Sequence, residues 1–228
     1  TDFPATPARP GEVEGVIVQF SRWFDKEVRR PGYTGVSRNG RWALFSQPIA
    51  AQREGASQWI DLESGKEFSS SEGGLPVDSL ADDGSIAVAA GTMLRIISPD
   101  AASRQIPLGF NATRVVAHSR DGLTAVVQQD DANGPLPLHV VDITTGRARQ
   151  ILPDYYRFSP LPIALTADGS RLFFRQDELD GRRSQVHSLD LRYRTRSLLG
   201  EIEQDLSALA VSGDINTVWL ASAAAGIS

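Results

Sequence analysis

VSRNGRWALFSQ, at residues 36–47, is the first of five similar stretches in this chain. The others are LADDGSIAVAAG (80–91), HSRDGLTAVVQQ (118–129), LTADGSRLFFRQ (165–176) and VSGDINTVWLAS (211–222). In four of them an Asn-Gly or Asp-Gly pair precedes an apolar run, and the fifth inverts the pair to Gly213–Asp214. Such pairs indicate tight hairpins, because both residues tolerate positive φ.

The spacing of these turns predicts the fold. Their glycines stand at positions 40, 84, 122, 169 and 213, so the repeats are 44, 38, 47 and 44 residues long. Periods of this length, with four short strands each, are typical of propeller blades. We therefore predict an all-β protein, a β-propeller of four-stranded antiparallel blades. About five blades are visible, either as the whole ring or as part of a larger propeller.

Each repeat divides into four predicted strands of falling hydrophobicity. The first repeat reads TGVS (34–37), WALFS (42–46), QWIDL (58–62) and KEFSS (66–70). In the second repeat we expect separate second and third strands at IAVAA (86–90) and LRIIS (94–98), and a fourth strand at RQIPL (104–108). A fall in hydrophobicity from the second strand to the fourth fits a blade whose inner strands are buried and whose outer strand is exposed to solvent.

The two ends of the chain are predicted to meet. Residues 1–14 read as a linker or processed terminus, and residues 15–228 as a single propeller domain or propeller fragment, because blades bury their faces only against neighbours. The fifth repeat stops after two strands. GVIVQF (15–20) reads as a strand and RWFDKEVRR (22–30) resembles QWIDLESGKE (58–67), so this segment is expected to complete the fifth blade. The alternative is that further blades lie outside these residues.

Composition excludes several classes of partner and site. Acidic residues outnumber basic ones 28 to 23, giving a net charge of −5, which opposes nucleic-acid binding. The chain has no cysteine, so disulfides, zinc–thiolate sites and thiol nucleophiles are ruled out. The sequence contains no apolar run of 18 residues, and we predict no membrane insertion.

Catalytic motifs are missing from the sequence. It contains no Gly-x-Ser-x-Gly elbow, no Gly-rich phosphate loop and no His-Glu-x-x-His motif. His118, His139 and His187 fall on predicted first or third strands, where packed or hydrogen-bonded imidazoles are expected. The sequence therefore favours a non-catalytic chain, and we predict no cofactor.

The recurring aspartates are interpreted as turn residues. Asp61, Asp142 and Asp190 end predicted third strands and are expected to cap backbone groups. The loops QDDANG (129–134) and QDELDG (176–181) collect carboxylate and amide oxygens of the kind that Ca²⁺ prefers. They lack the distal bidentate Glu of a full calcium loop, so solvated turns or a partner contact are the favoured readings, and no metal site is predicted.

The pattern of a small polar residue, Asx-Gly, an apolar strand and then Asp-apolar-x-x-Gly resembles the WD-repeat-like propeller units of TolB. Similar units form the propeller of prolyl-oligopeptidase-type peptidases. The residues that carry it are Asn39–Gly40 with Asp61 and Gly65, Asp83–Gly84, Asp121–Gly122 with Asp142 and Gly146, and Asp168–Gly169 with Asp190. The second repeat departs from it, because Ser98 stands where the third-strand Asp is expected. The resemblance implies fold rather than activity.

The function expected from this reading is protein or peptide binding through one loop face, since variable loops on a rigid scaffold carry function. The alternative is a gating propeller of a larger serine hydrolase, with other domains of the same polypeptide as its partners. An extracytoplasmic, periplasmic location is favoured over the cytoplasm. The predicted partner-binding residues are Tyr155, Tyr156, Arg157, Asp130, Asp131, Asp177, Glu178 and Arg182.

Overall fold

The fold was analysed in a computed structural model of the chain. It describes residues 34–47, 55–73, 80–100, 102–130, 136–152, 163–177, 184–202, 206–211 and 218–222. These residues form fifteen β-strands and no helix. No helix within these ranges could cross a membrane. The all-β prediction is confirmed, while the predicted linker and the closing segment at 15–30 lie outside the described residues.

Two blades have the four-stranded form that the sequence predicts. Blade 1 has the strand order β1-β2-β3-β4, and blade 4 has the order β10-β11-β12-β13, all antiparallel. The strands of blade 1 are β1 (Thr34–Val36), β2 (Trp42–Gln47), β3 (Gly55–Asp61) and β4 (Glu67–Gly73). Those of blade 4 are β10 (Ile163–Leu165), β11 (Arg171–Asp177), β12 (Ser184–Asp190) and β13 (Arg196–Ile202).

Blades 2 and 3 are fused in one five-stranded sheet of order β5-β6-β7-β8-β9. Its strands are β5 (Ile86–Ile97), β6 (Ser103–His118), β7 (Thr124–Gln129), β8 (Leu138–Asp142) and β9 (Arg147–Leu152). Strand β5 spans the predicted second and third strands of repeat 2, and β6 spans its fourth strand and the first strand of repeat 3. The prediction of separate strands here was wrong.

The physical reason for the fusion is the shortness of the connections. Only Gly91–Met93 separate the two predicted strands within β5, and Gly91, at φ 60°, still pairs with Ala112 across the sheet. Met93 pairs with Pro107 and Gly91 pairs with Ala112. These two pairs are two residues apart along β5 but five residues apart along β6. The extra residues, Leu108–Asn111, form a large bulge in β6, and Gly109 within it has φ 74°. A register shift at Gly91–Met93, with the bulge in β6 opposite it, takes the place of the two expected loops.

The last described sheet is the pair β14 (Leu206–Val211) and β15 (Val218–Ser222). It contacts blade 4, where Val218 packs against Ala164 and Phe173. These two strands match the predicted start of the fifth repeat. The Gly213–Asp214 turn between them lies outside the described residues.

The core lies between successive sheets, as propeller packing requires. Trp42 and Trp59 of blade 1 pack on Ile86 and Ile97 of β5. Val126 and Leu138 of blade 3 pack on Leu172 and Phe174 of blade 4. In contrast, every residue from 192 to 201, which includes most of outer strand β13, is exposed. The predicted gradient from buried second strand to exposed fourth strand is confirmed.

Candidate functional site

The antiparallel order of each blade creates two opposite faces. We call the edge that carries the first-to-second and third-to-fourth turns the turn face. The edge that carries the second-to-third loops and fourth-to-first connections is the loop face. The turn face is described almost completely. Much of the loop face, including residues 48–54, 131–135, 153–162 and 178–183, lies outside the described residues.

On the turn face, the Asx-Gly turns of blades 1, 3 and 4 share one hydrogen-bonded geometry, whereas blade 2 has Ala81 in place of the hydroxyl residue. In blade 3 the Ser119 hydroxyl donates to Asp121 Oδ1 at 2.5 Å and accepts from the Thr124 amide at 2.8 Å. Blade 4 repeats these bonds. The Thr166 hydroxyl donates to Asp168 Oδ1 at 2.7 Å and accepts from the Arg171 amide at 3.0 Å. The predicted hairpin position of every described Asx-Gly pair is confirmed, and the Oδ1 atom of each Asx residue accepts a hydrogen bond within its own turn.

The turns also bond to one another across blades. The Asn39 side-chain amide donates to the Asp82 carbonyl at 2.9 Å, and Asp82 is ion-paired with Arg120 of the next turn. The Asp121 amide then donates to the Ala167 carbonyl at 3.2 Å. The four turns therefore form one continuous arc, in chain order, that ties blades 1 to 4 together.

The third-strand aspartates are capping residues, as predicted. Asp142 Oδ1 accepts from the Thr145 amide at 2.9 Å, and this bond is the main reason that the Asp142 pKa lies below its ordinary value. Asp190 Oδ1 accepts from two amides, at 2.9 and 2.8 Å. Asp61 is buried, which raises its pKa, but its bonds to the Arg41 side chain and local amides outweigh burial and lower the pKa overall.

Of the predicted partner-binding residues, the structure describes Asp130 and the backbone of Asp177. Asp130 follows β7 and is exposed, with its amide donating to the Asn111 carbonyl at 2.7 Å. Asp177 ends β11, where it pairs with Ser184. Both positions belong to the loop face, on neighbouring blades. The remaining six lie outside the described residues and stay predictions: Asp131, Tyr155, Tyr156, Arg157, Glu178 and Arg182.

A histidine in blade 3 lies beside the start of this loop face. His139 Nε2 is 2.8 Å from Gln129 Oε1, and its ring stacks on Phe110 at 4.0 Å between centroids. Burial lowers the His139 pKa, so the ring is neutral at pH 7 and donates its Nε2–H to the glutamine. Gln129 also closes the β7–β8 connection, because its amide donates to the Pro137 carbonyl at 2.9 Å.

Blade 4 has a stacked histidine at the equivalent position, but its glutamine partner lies on its own strand β12 and not on the preceding strand. His187 stacks on Phe174 at 5.5 Å, and its Nδ1 accepts from Arg196 Nε at 3.2 Å. Burial, and then the Arg196 charge, lower the His187 pKa. The ring is thus neutral with its proton on Nε2, which faces Gln185 Oε1 at 3.2 Å. Arg196 continues to Gln176 Oε1, so polar contacts span β11, β12 and β13.

The equivalent placement of the two histidines was not predicted from the sequence, although the sequence contains it. Their contacts differ, since Gln176, at the position equivalent to Gln129, bonds to Arg196 and not to His187. Gln129 and Gln176 each follow their turn glycine by seven residues, and His139 and His187 each precede a third-strand Asp by three. The prediction that all three histidines are packed is confirmed, because His118, His139 and His187 are all buried. Buried and stacked on phenylalanine rings, His139 and His187 suit a rigid support for loop ends.

Comparisons with known proteins identify the fold. No family model matches the chain, and no curated protein matches it in sequence. Among solved structures, TolB from Acinetobacter baumannii has a TM-score of 0.52 at 15% identity, covering 72% of this chain and 42% of its own. A puromycin hydrolase gives 0.51 at 18% identity, covering 78% and 29%.

An oligogalacturonate lyase from Vibrio parahaemolyticus gives a TM-score of 0.56 at 12% identity, covering 84% of this chain and 62% of its own. The chain therefore spans between roughly a third and two thirds of the proteins that it resembles. At these identities the likeness is one of fold. Together with the repeat of turns and blades, it confirms that this chain has the fold of a TolB-type β-propeller.

Proposed function

We propose that this chain is a non-catalytic propeller module that binds a protein or peptide partner through its loop face. The observation that carries the proposal is the difference between the two faces. Every first-to-second connection of blades 1 to 4 has five residues: 37–41, 81–85, 119–123 and 166–170. The second-to-third loops differ in length, at 48–54, 130–137 and 178–183, and repeat 2 has none.

Uniform length and mutual bonding indicate that the first-to-second turns are constrained by blade packing. Loops that vary in length are free of that constraint, and insertions in repeat frameworks commonly map to a binding face. The Gln–His pairs of blades 3 and 4 support the strands from which two of these loops leave. A periplasmic location is part of the proposal, and the lack of cysteine is compatible with it.

Site-specific photo-crosslinking in the source cell tests the proposal. A photoreactive residue is placed at Asp130 on the loop face, or at Asp100 on the turn face as the matched control. We expect a discrete protein adduct from position 130 and none from position 100. In a binding assay with the partner so identified, Tyr155→Ala, Tyr156→Ala and Arg157→Ala should weaken binding. Adducts from position 100 alone would overturn the choice of face.

The second candidate is a gating propeller of a larger hydrolase. It is favoured by the likeness to puromycin hydrolase, where the matched region makes up 29% of that protein's chain. The full-length gene separates the two. A Gly-x-Ser-x-Gly elbow downstream of these residues would support the hydrolase, and a signal peptide without a further domain would support the binding module.

A further inference from the structure

The third-to-fourth turn of blade 4 differs from its equivalents. It reads RYR at residues 192–194, which we call the basic turn, and it lies on the turn face. All three side chains are exposed, and Tyr193 retains 69% of its accessible surface. The Arg192 guanidinium lies over the Tyr193 ring, 5.4 Å from its centroid. The turn thus presents an aromatic ring and two cations together.

The backbone of this turn is strained at an arginine. Arg194 has φ 59°, the only positive φ at a non-glycine residue in the described chain. The equivalent positions, four residues after the third-strand aspartate, are Gly65 at φ 71° and Gly146 at φ 73°. Glycine adopts this conformation freely, whereas arginine does so at a cost. An arginine that the local backbone disfavours indicates a use for its side chain.

A third cation lies beside the turn. Arg149 of β9 donates through Nη2 to the Leu191 carbonyl. Burial lowers the Arg149 pKa, and the positive charge of Arg194 lowers it further. Asp190 Oδ1 accepts hydrogen bonds from the backbone amides of Arg192 and Tyr193. Among the described residues, Arg192 and Arg194 form no ion pair. An incoming anion would relieve the repulsion between Arg149 and Arg194.

We propose that the basic turn docks an acidic peptide segment of a protein partner. Guanidinium groups bind carboxylates in a bidentate manner, and Tyr and Arg are the residue types enriched at binding hot spots. A short acidic protein segment fits better than nucleic acid, because nucleic-acid affinity is built from many phosphate contacts, whereas this site offers only Arg192, Arg194 and the neighbouring Arg149. This surface is on the face opposite the loops, and the proposal stands or falls independently of the loop-face function.

The test is fluorescence anisotropy with a labelled decapeptide of alternating Asp and Glu, at low ionic strength. An amide analogue of Asn and Gln serves as the neutral peptide. We expect the double variant Arg192→Gln/Arg194→Gln to weaken binding of the acidic peptide about tenfold. Lys66→Gln, which removes one charge from the equivalent turn of blade 1, should change it by less than about twofold.

The variant Arg194→Gly separates binding from folding. It should weaken peptide binding while raising the melting temperature, because glycine relieves the strain and removes the guanidinium. A merely structural role for Arg194 predicts no loss of binding. The proposal is overturned if the wild-type protein does not bind the acidic peptide, if the double variant binds it equally well, or if a single-stranded oligonucleotide binds more tightly at this turn.

Discussion

At the scale of single residues, the turn glycines of the arc do two things at once. Gly84 has φ 85°, and a Cβ added there would lie 2.7 Å from Pro99 Cγ and 2.8 Å from the Trp42 ring. A Cβ at Gly169 would lie 2.4 Å from the Thr124 hydroxyl of the preceding blade. These glycines therefore permit both the turn and the close approach of neighbouring blades.

We predict that Gly84→Ala lowers the free energy of unfolding by about 2–4 kcal/mol, from backbone strain together with overpacking against Trp42. Gly40→Ala is the matched control. Gly40 has φ 73°, but no described atom lies within 4 Å of an added Cβ, so only the strain of about 1 kcal/mol is expected. Urea unfolding measures both variants. Equal losses would show that inter-blade packing at Gly84 contributes nothing.

The strained Arg194 gives the opposite prediction. Arg194→Gly should raise the free energy of unfolding by about 1 kcal/mol, because glycine adopts positive φ without a Cβ penalty. Arg194→Ala removes the same side chain and its charge but keeps the backbone penalty, so it should raise stability by less than Arg194→Gly does. The two are compared by thermal denaturation. A gain in the alanine variant as large as in the glycine variant would mean that charge repulsion with Arg149, rather than φ, is what destabilises the turn.

At the scale of elements, the sequence predicted hairpins well and strand continuity poorly. The Asx-Gly turns and the strands of blades 1 and 4 could be predicted because turn chemistry and hydrophobic alternation are local properties. The merger within β5 and β6 depends on pairing between Gly91 and Ala112, which are distant in sequence. The stacking of His139 on Phe110 likewise depends on the bulge in β6, and no local sequence pattern predicts that bulge.

The ionised carboxylates of the turns are expected to make the free energy of unfolding depend on pH in the acid range. The hydrogen bond from Thr166, with further bonds from Ser170, lowers the folded-state pKa of Asp168. A carboxyl group with a lowered folded pKa contributes stability above its unfolded pKa of about 3.9, and this stability is lost as the pH falls through the folded value. We predict that Asp168→Asn reduces the slope of stability against pH below about 4.

The choice of asparagine is guided by the chain itself, since Asn39 fills the same turn position in blade 1 and accepts from Ser37 Oγ at 2.6 Å. The variant should therefore keep its turn, but at neutral pH it should lose the stability that the ionised Asp168 contributes. Denaturant midpoints measured across the acid range provide the comparison. An unchanged slope in the variant would show that Asp168 is not among the groups responsible for acid unfolding.

At the scale of the whole molecule, the remaining prediction is closure of the ring. If residues 15–30 complete the fifth blade, deleting residues 1–30 should expose the edge of the strand at Val218–Ser222 and cause aggregation or a cooperative loss of stability. Deleting only residues 1–14 is the control and should have little effect. A melting temperature that both deletions leave unchanged would assign the whole segment to a passenger linker.

The central structural claim is that the arc of turns joins the blades into a single cooperative body that presents the loop face. Native-state hydrogen exchange measures this most directly, because it reports the opening free energy of each strand separately. We predict that the slowest amides of β3, β7 and β11 exchange with one common free energy, equal to that of global unfolding. Blades that open independently, each with its own lower free energy, would contradict the claim.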